Sequence, residues 1–192
     1  MIVARSLTDP HTPSSSRCSR TIRRLRLVHA WEPEEMCQYC GCRQVPLIRD
    51  YIEEHEQVVD VGDAALRALD EGDVDRARRS VARMREVLTS HWAGEEAGVF
   101  AVMSELDATY AEYVGVLVGE HRSLAAFLEV FEVELPAHRE RLRFEVKSLR
   151  EHIGREEDGL FPATLTALSG DQWDRAIDAW KDAHPGAELI AD

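Results

Sequence analysis

From Pro46 onward, apolar residues return every three to four positions, the period of a helix with one buried face. A stripe through Ile48, Ile52, His55, Val59, Gly62, Leu66 and Leu69 predicts a first helix over 47–69. The polar segment DEGD interrupts it, and Asp73 is placed to cap a second helix. That helix should run to Met103, with Val81, Met84, Leu88, His91, Glu95 and Val102 on one face. Asp107 can cap a third helix, whose stripe is Tyr110, Val114, Leu117, His121, Leu124, Leu128, Phe131 and Leu135. Pro136 closes that helix or opens a fourth, which carries Leu142, Leu149, His152, Glu156 and Leu160 and reaches Leu168. Ser169 and Gln172 have the spacing of a capping box and should start a shorter fifth helix, through Trp173, Ile177 and Trp180, ended by Pro185-Gly186. No stretch has the period of a strand. The expected fold is all-α: an up-down-up-down four-helix bundle over 47–168, with a short C-terminal helix and tail over 169–192.

Each long helix carries one histidine inside its apolar stripe: His55, His91, His121 and His152. A single such histidine is most often a satisfied core residue. Four of them, each near mid-helix in a bundle of alternating direction, should meet at one level of the core.

Two of the four belong to a longer repeat. HWAGEEAGVF from His91 and HIGREEDGLF from His152 share H-x-x-x-E-E-x-G-[VL]-F, and each follows a Glu-His pair, Glu54-His55 and Glu120-His121. The chain thus reads as two helical hairpins of related design. At roughly 100° per residue, a residue four on lies about 40° from its histidine and a residue five on about 140°. Glu95 and Glu156 can therefore reach the site, whereas Glu96 and Glu157 are expected on the flank or in solvent.

A buried carboxylate without a partner is costly, so these two should be paired, protonated or bound to metal. Four imidazoles and two carboxylates in a dry core suit two transition-metal ions, with the carboxylates able to bridge them. Zinc usually takes fewer ligands and calcium takes oxygen only, so iron is expected and manganese comes second. The Glu-x-x-His spacing of ferritin-like diiron bundles is excluded, because Ile52, Leu88, Val118 and Leu149 stand three residues before the histidines.

The pattern H…HxxxE…H…HxxxE on four helices resembles the hemerythrin-like family, the HHE cation-binding domain, over residues 47–168. The resemblance implies a non-haem diiron centre held by His55, His91, Glu95, His121, His152 and Glu156, with Glu95 and Glu156 bridging. Oxygen-carrying members have a further histidine four residues after that of the third helix, where this chain has Ala125. What is implied is therefore reaction with, or sensing of, a small oxidant (O₂, peroxide or nitric oxide) rather than reversible carriage. Peroxide breakdown is the favoured activity if the protein is an enzyme; an iron-handling or redox-sensing module is the alternative.

Composition narrows the partners. A net charge of −13 argues against nucleic acid, which needs clustered Lys and Arg. No apolar run approaches the roughly 18 residues of a membrane span. Residues 1–35 form a separate segment: the first 30 hold six arginines and one acid, are rich in Ser, Thr and Pro, and read as a disordered basic arm. Its Arg23-Arg24 pair is not followed by the apolar region an export signal requires. Glu34-Glu35 can be encoded as GAGGAG, a ribosome-binding sequence, which makes Met36 a candidate start.

The segment 36–46 holds Cys37, Cys40 and Cys42 as C-x-x-C-x-C. Four clustered cysteines do not make a secreted disulfide framework and favour the cytoplasm. The three can serve as a redox-active pair, as metal ligands completed by Cys18, or as plain chain. Tyr51, Trp92, Trp173 and Trp180 are expected to pack the core, and His11, His29, His138 and His184 to be solvated.

Overall fold

The computed structural model describes residues 41–190, and every regular element among them is helical. A 3₁₀ turn, Cys42–Gln44, precedes α1 (Ile48–Glu71) and α2 (Val74–Ala97). After them come α3 (Val99–Ser104), α4 (Ala108–Glu129), α5 (Pro136–Arg155), a π-helical turn (Glu156–Leu160), α6 (Phe161–Ala167) and α7 (Gly170–Ala183). The expected arm, Cys37 and Cys40 lie outside the described residues.

The local signals for helix starts hold. Asp73 accepts the Arg76 N–H at 2.9 Å, and Asp107 accepts those of Thr109 and Tyr110 at 2.7 and 3.1 Å. Pro136 opens α5, where its missing N–H costs nothing. Gln172 accepts the Ser169 N–H at 2.9 Å, half of the expected capping box.

Three helix readings need correction. The second helix does not run through to Met103: it stops at Ala97, and Gly98, at φ −97° and ψ −109°, separates it from α3. The third stops at Glu129 instead of Leu135: Val130 already leaves the helix, and Leu135, preceding Pro136, is extended. The fourth is interrupted by the π-helical turn at Glu156. The stripe of α1 is also turned by about one residue. Tyr51, His55, Val58, Gly62 and Ala65 are its deepest positions, while Ile52, Val59, Leu66 and Leu69 are half-buried on its flank.

The helices form a bundle in which α1 packs on α2 and α5, and α4 on α2 and α5. Two apolar clusters fill it. One, toward the N-terminus of α1, contains Leu47, Tyr51, Phe100, Met103 and Phe161. The other, toward the far end, contains Val58, Met84, Leu88, Leu142 and Val146. The four stripe histidines lie between them, all buried.

Helix α7 closes against α2 and α3. Two glycines of the first motif allow that approach. A Cβ on Gly94 would touch Trp180, and one on Gly98 would stand 2.5 Å from the Gly94 carbonyl oxygen and 3.1 Å from that of Ala176. No described helix is long and apolar enough to cross a membrane.

Candidate metal centre

The six residues singled out from the sequence converge. His55 Nε2 lies 3.2 Å from Glu156 Oε2, His91 Nε2 3.3 Å from Glu95 Oε2, and His152 Nε2 2.8 Å from Glu156 Oε1. The Nε2 atoms of His121 and His152 face each other at 2.9 Å. Both carboxylates are completely buried, and none of their four oxygens has a hydrogen-bond partner. The approaches to Glu95 and Glu156 therefore lack hydrogen-bond geometry. They have the character of donor atoms collected around a common space. Two groups of ligand atoms can each hold a cation: His55, His91, Glu95 and Glu156, and His121, His152 and Glu156.

The opposite nitrogen of every imidazole is engaged by a carboxylate. His91 Nδ1 pairs with Glu54 at 2.7 Å, and His152 Nδ1 with Glu120 at 2.7 Å. His55 Nδ1 pairs with Glu157 at 2.9 Å, and His121 Nδ1 with Glu96 at 2.9 Å. A carboxylate on Nδ1 keeps the proton there and turns the Nε2 lone pair toward the centre. Glu96 and Glu157, expected on the flank or in solvent, thus orient histidines of the other hairpin. The same angle that points them away from their own histidine points them at the back of a neighbour's. The duplicated Glu-Glu was the sequence signal for this role.

The motif phenylalanines follow the same exchange. Phe100 stacks on His121 and Phe161 on His55, at ring-centroid distances of 5.5 and 5.9 Å. Trp92 covers the other face of His121 at 4.9 Å. Each copy of H-x-x-x-E-E-x-G-[VL]-F therefore gives a histidine and a glutamate to the centre. Its second glutamate and its phenylalanine hold a histidine of the opposite hairpin.

The family model for the hemerythrin HHE cation-binding domain matches residues 47–164. The chain belongs to the hemerythrin family. No curated protein and no solved structure matches it. The matched span contains all six central residues of this hemerythrin-family chain and the four carboxylates behind the imidazoles.

Electrostatics divides the two central carboxylates. Burial, and then the charges of Glu156, Glu54 and Glu96, push the Glu95 carboxyl well above the usual range. Burial opposes ionisation of Glu156 too, but His152, His121 and His55 outweigh it and hold its carboxyl well below the usual range. His91 is lowered to about 4, by burial and by the neighbouring His55. His152 is raised to about 9, its burial outweighed by Glu156 and Glu120.

Several residues outside the expected set belong to the surroundings of the centre. Trp180, expected only to pack, donates its indole N–H to Glu54 Oε1 at 2.8 Å. His184, expected in solvent, lies with Nε2 3.3 Å from the same oxygen and donates Nδ1–H to the Trp180 carbonyl at 2.8 Å. Away from the centre, His138, also expected in solvent, accepts at 2.9 Å the N–H of Glu132 in the turn before α5. Arg155 pairs with Glu120, and Arg43, next to Cys42, pairs with Glu157 and Asp158. Tyr51 is a core residue whose ring lies edge-on to His91 and stacked on Phe161. Of the three cysteines, Cys42 is buried in the 3₁₀ turn beside Arg43.

Proposed function

We propose that the protein binds two iron ions and reacts with a small oxidant, with peroxide breakdown as its activity. On this reading His55, His91, Glu95, His121, His152 and Glu156 would hold the two irons, on an up-down-up-down frame. The observation that carries the proposal is the pair of buried carboxylates with four unpartnered oxygens. The histidines offset the charge of Glu156, but burial and the neighbouring carboxylates leave Glu95 uncompensated, and cations at the centre would supply what is missing. The donor set agrees: imidazole and carboxylate together suit iron or manganese, whereas calcium would take oxygen alone.

Paired iron supplies reversible two-electron chemistry when bound. The chain's own residues fix the conditions for it. Glu54, Glu96, Glu120 and Glu157 keep the Nδ1 protons of the imidazoles, and Phe100, Phe161 and Trp92 shield the rings from water. The reaction balances without an outside reductant. One hydrogen peroxide accepts two electrons and two protons as its O–O bond breaks, giving two waters, and a second gives up two electrons and two protons to become O₂.

The test is metal analysis and peroxide turnover on the purified protein. It should carry about two irons and evolve O₂ from peroxide, and His91→Ala and Glu156→Ala should lose most of both. Full iron loading in both variants would overturn the ligand assignment, and an iron-loaded protein without turnover would overturn the activity.

A further inference from the structure

Beside α4 and α5 lies a cleft of about 260 Å³. Its buried wall consists of Trp92, His121, Leu124, Glu145, Leu149 and His152, and it includes neither His55 nor His91. Of the six central residues, His121 and His152 alone line it. Liquid water takes roughly 30 Å³ per molecule, so the space greatly exceeds what hydrogen peroxide fills.

The rim specifies the character of a larger occupant. Phe144 stands there 60% exposed, with the Arg141 guanidinium 5.5 Å from its ring centre. The charges around it are already matched: Arg141 with Glu145, Arg155 with Glu120, and Glu151 with Lys147. Among the described residues of the rim, each arginine already has a carboxylate partner. An uncharged molecule with an apolar body fits such a wall and rim.

We propose that this cleft binds the organic group of an uncharged hydroperoxide, ROOH, and directs its O–O end to the metal position of His121 and His152. The proposal rests on the peroxide reading above and names a substrate class for it. The balanced reaction is ROOH + H₂O₂ → ROH + H₂O + O₂. The O–O bond of ROOH breaks as it takes two electrons and two protons. One oxygen leaves as ROH and the other as water, while H₂O₂ supplies both electrons and both protons and leaves as O₂.

The experiment uses the full chain with its iron, cumene hydroperoxide as substrate, and 2-phenyl-2-propanol, its alcohol product, as binding probe. Ser148→Trp fills the cleft from α5 and Ser123→Trp fills it from α4. Saturation-transfer NMR should show the alcohol bound to the wild-type protein and displaced in both variants. The ratio of cumene hydroperoxide to H₂O₂ turnover should fall by roughly tenfold or more in variants whose iron content is unchanged. Alcohol binding that survives both fillings would overturn the proposal, and so would a turnover ratio unchanged within about twofold. If the wild-type protein binds the alcohol but has no iron or no H₂O₂ turnover, the peroxide reading fails while the cleft assignment stands. If it turns over H₂O₂ but binds no alcohol, the cleft assignment fails alone.

Discussion

Replacing Glu54 by alanine tests how far the centre depends on groups that never touch a metal. Its carboxylate takes the Nδ1–H of His91 at 2.7 Å and the indole N–H of Trp180 at 2.8 Å, with His184 Nε2 at 3.3 Å. His91 and Trp180 are both buried, so water cannot take over as acceptor without rearrangement. Loss of a carboxylate behind a metal-bound histidine typically costs about 10–100-fold in metal affinity. That is about 1.4–2.7 kcal/mol. Each orphaned donor should further cost about 1–3 kcal/mol of stability. Glu96 provides the internal comparison, because its side chain is 36% exposed and water can replace it at His121. Glu96→Ala should therefore cost less than about tenfold. Glu54→Gln, which keeps an acceptor oxygen, should recover part of the loss. The assay is anaerobic competition for Fe²⁺ against a chelator, with the melting temperature of the metal-free protein measured alongside. An affinity loss in Glu96→Ala equal to or larger than that in Glu54→Ala would refute the argument from burial.

Two further outcomes follow from the geometry. Without metal at pH 7, His152, with its pKa at about 9, is protonated, whereas His91, at about 4, is neutral. Metal ligands bind deprotonated, so loading in weak buffer at pH 7 should release protons and apparent affinity should rise toward pH 9; an indicator dye showing no release would contradict this. Gly98→Ala drives a Cβ onto the backbone carbonyls of Gly94 and Ala176, and should lower stability by roughly 1–3 kcal/mol in denaturant titration. An unchanged midpoint would show that α7 can shift without cost.

The six central residues were legible because each depends on one helix alone. A histidine in an apolar stripe must face the core, and a glutamate four residues on must share that face. The caps at Asp73 and Asp107 were legible for the same reason: donor and acceptor lie within three residues of each other. What escaped depends on which helix lies alongside. Glu96 and Glu157 were correctly set aside as ligands, yet their partners, His121 and His55, sit on other helices, so angle on one helix could not find them. The helix breaks escaped too, because the period of the stripe persists across them. Both copies of the motif leave regular α-helix at their Glu-Glu or shortly after it, one at Gly98 and one in the π-helical turn from Glu156. Such turns recur at functional sites. Here they precede the two phenylalanines that cover histidines of the opposite hairpin.

The repeat also explains where the centre stops being symmetric. The two hairpins duplicate the imidazoles, the central carboxylates, the carboxylates on Nδ1 and the stacked phenylalanines, all inside residues 47–164. The next layer outward is not duplicated. Glu120 is held by Arg155 from within that span, but Glu157 is held by Arg43 before it, and Glu54 by Trp180 and His184 after it. Among the described residues Glu96 has no partner beyond His121. Two of the four imidazoles, His55 and His91, are therefore backed by carboxylates that segments outside the family match hold in place. A sequence motif can specify what meets at the centre, because those residues are fixed by helical period. How the partners of His91 and His55 are held is decided by α7 and by the turn at Cys42–Gln44, which adds Arg43 to one side of the centre and not to the other.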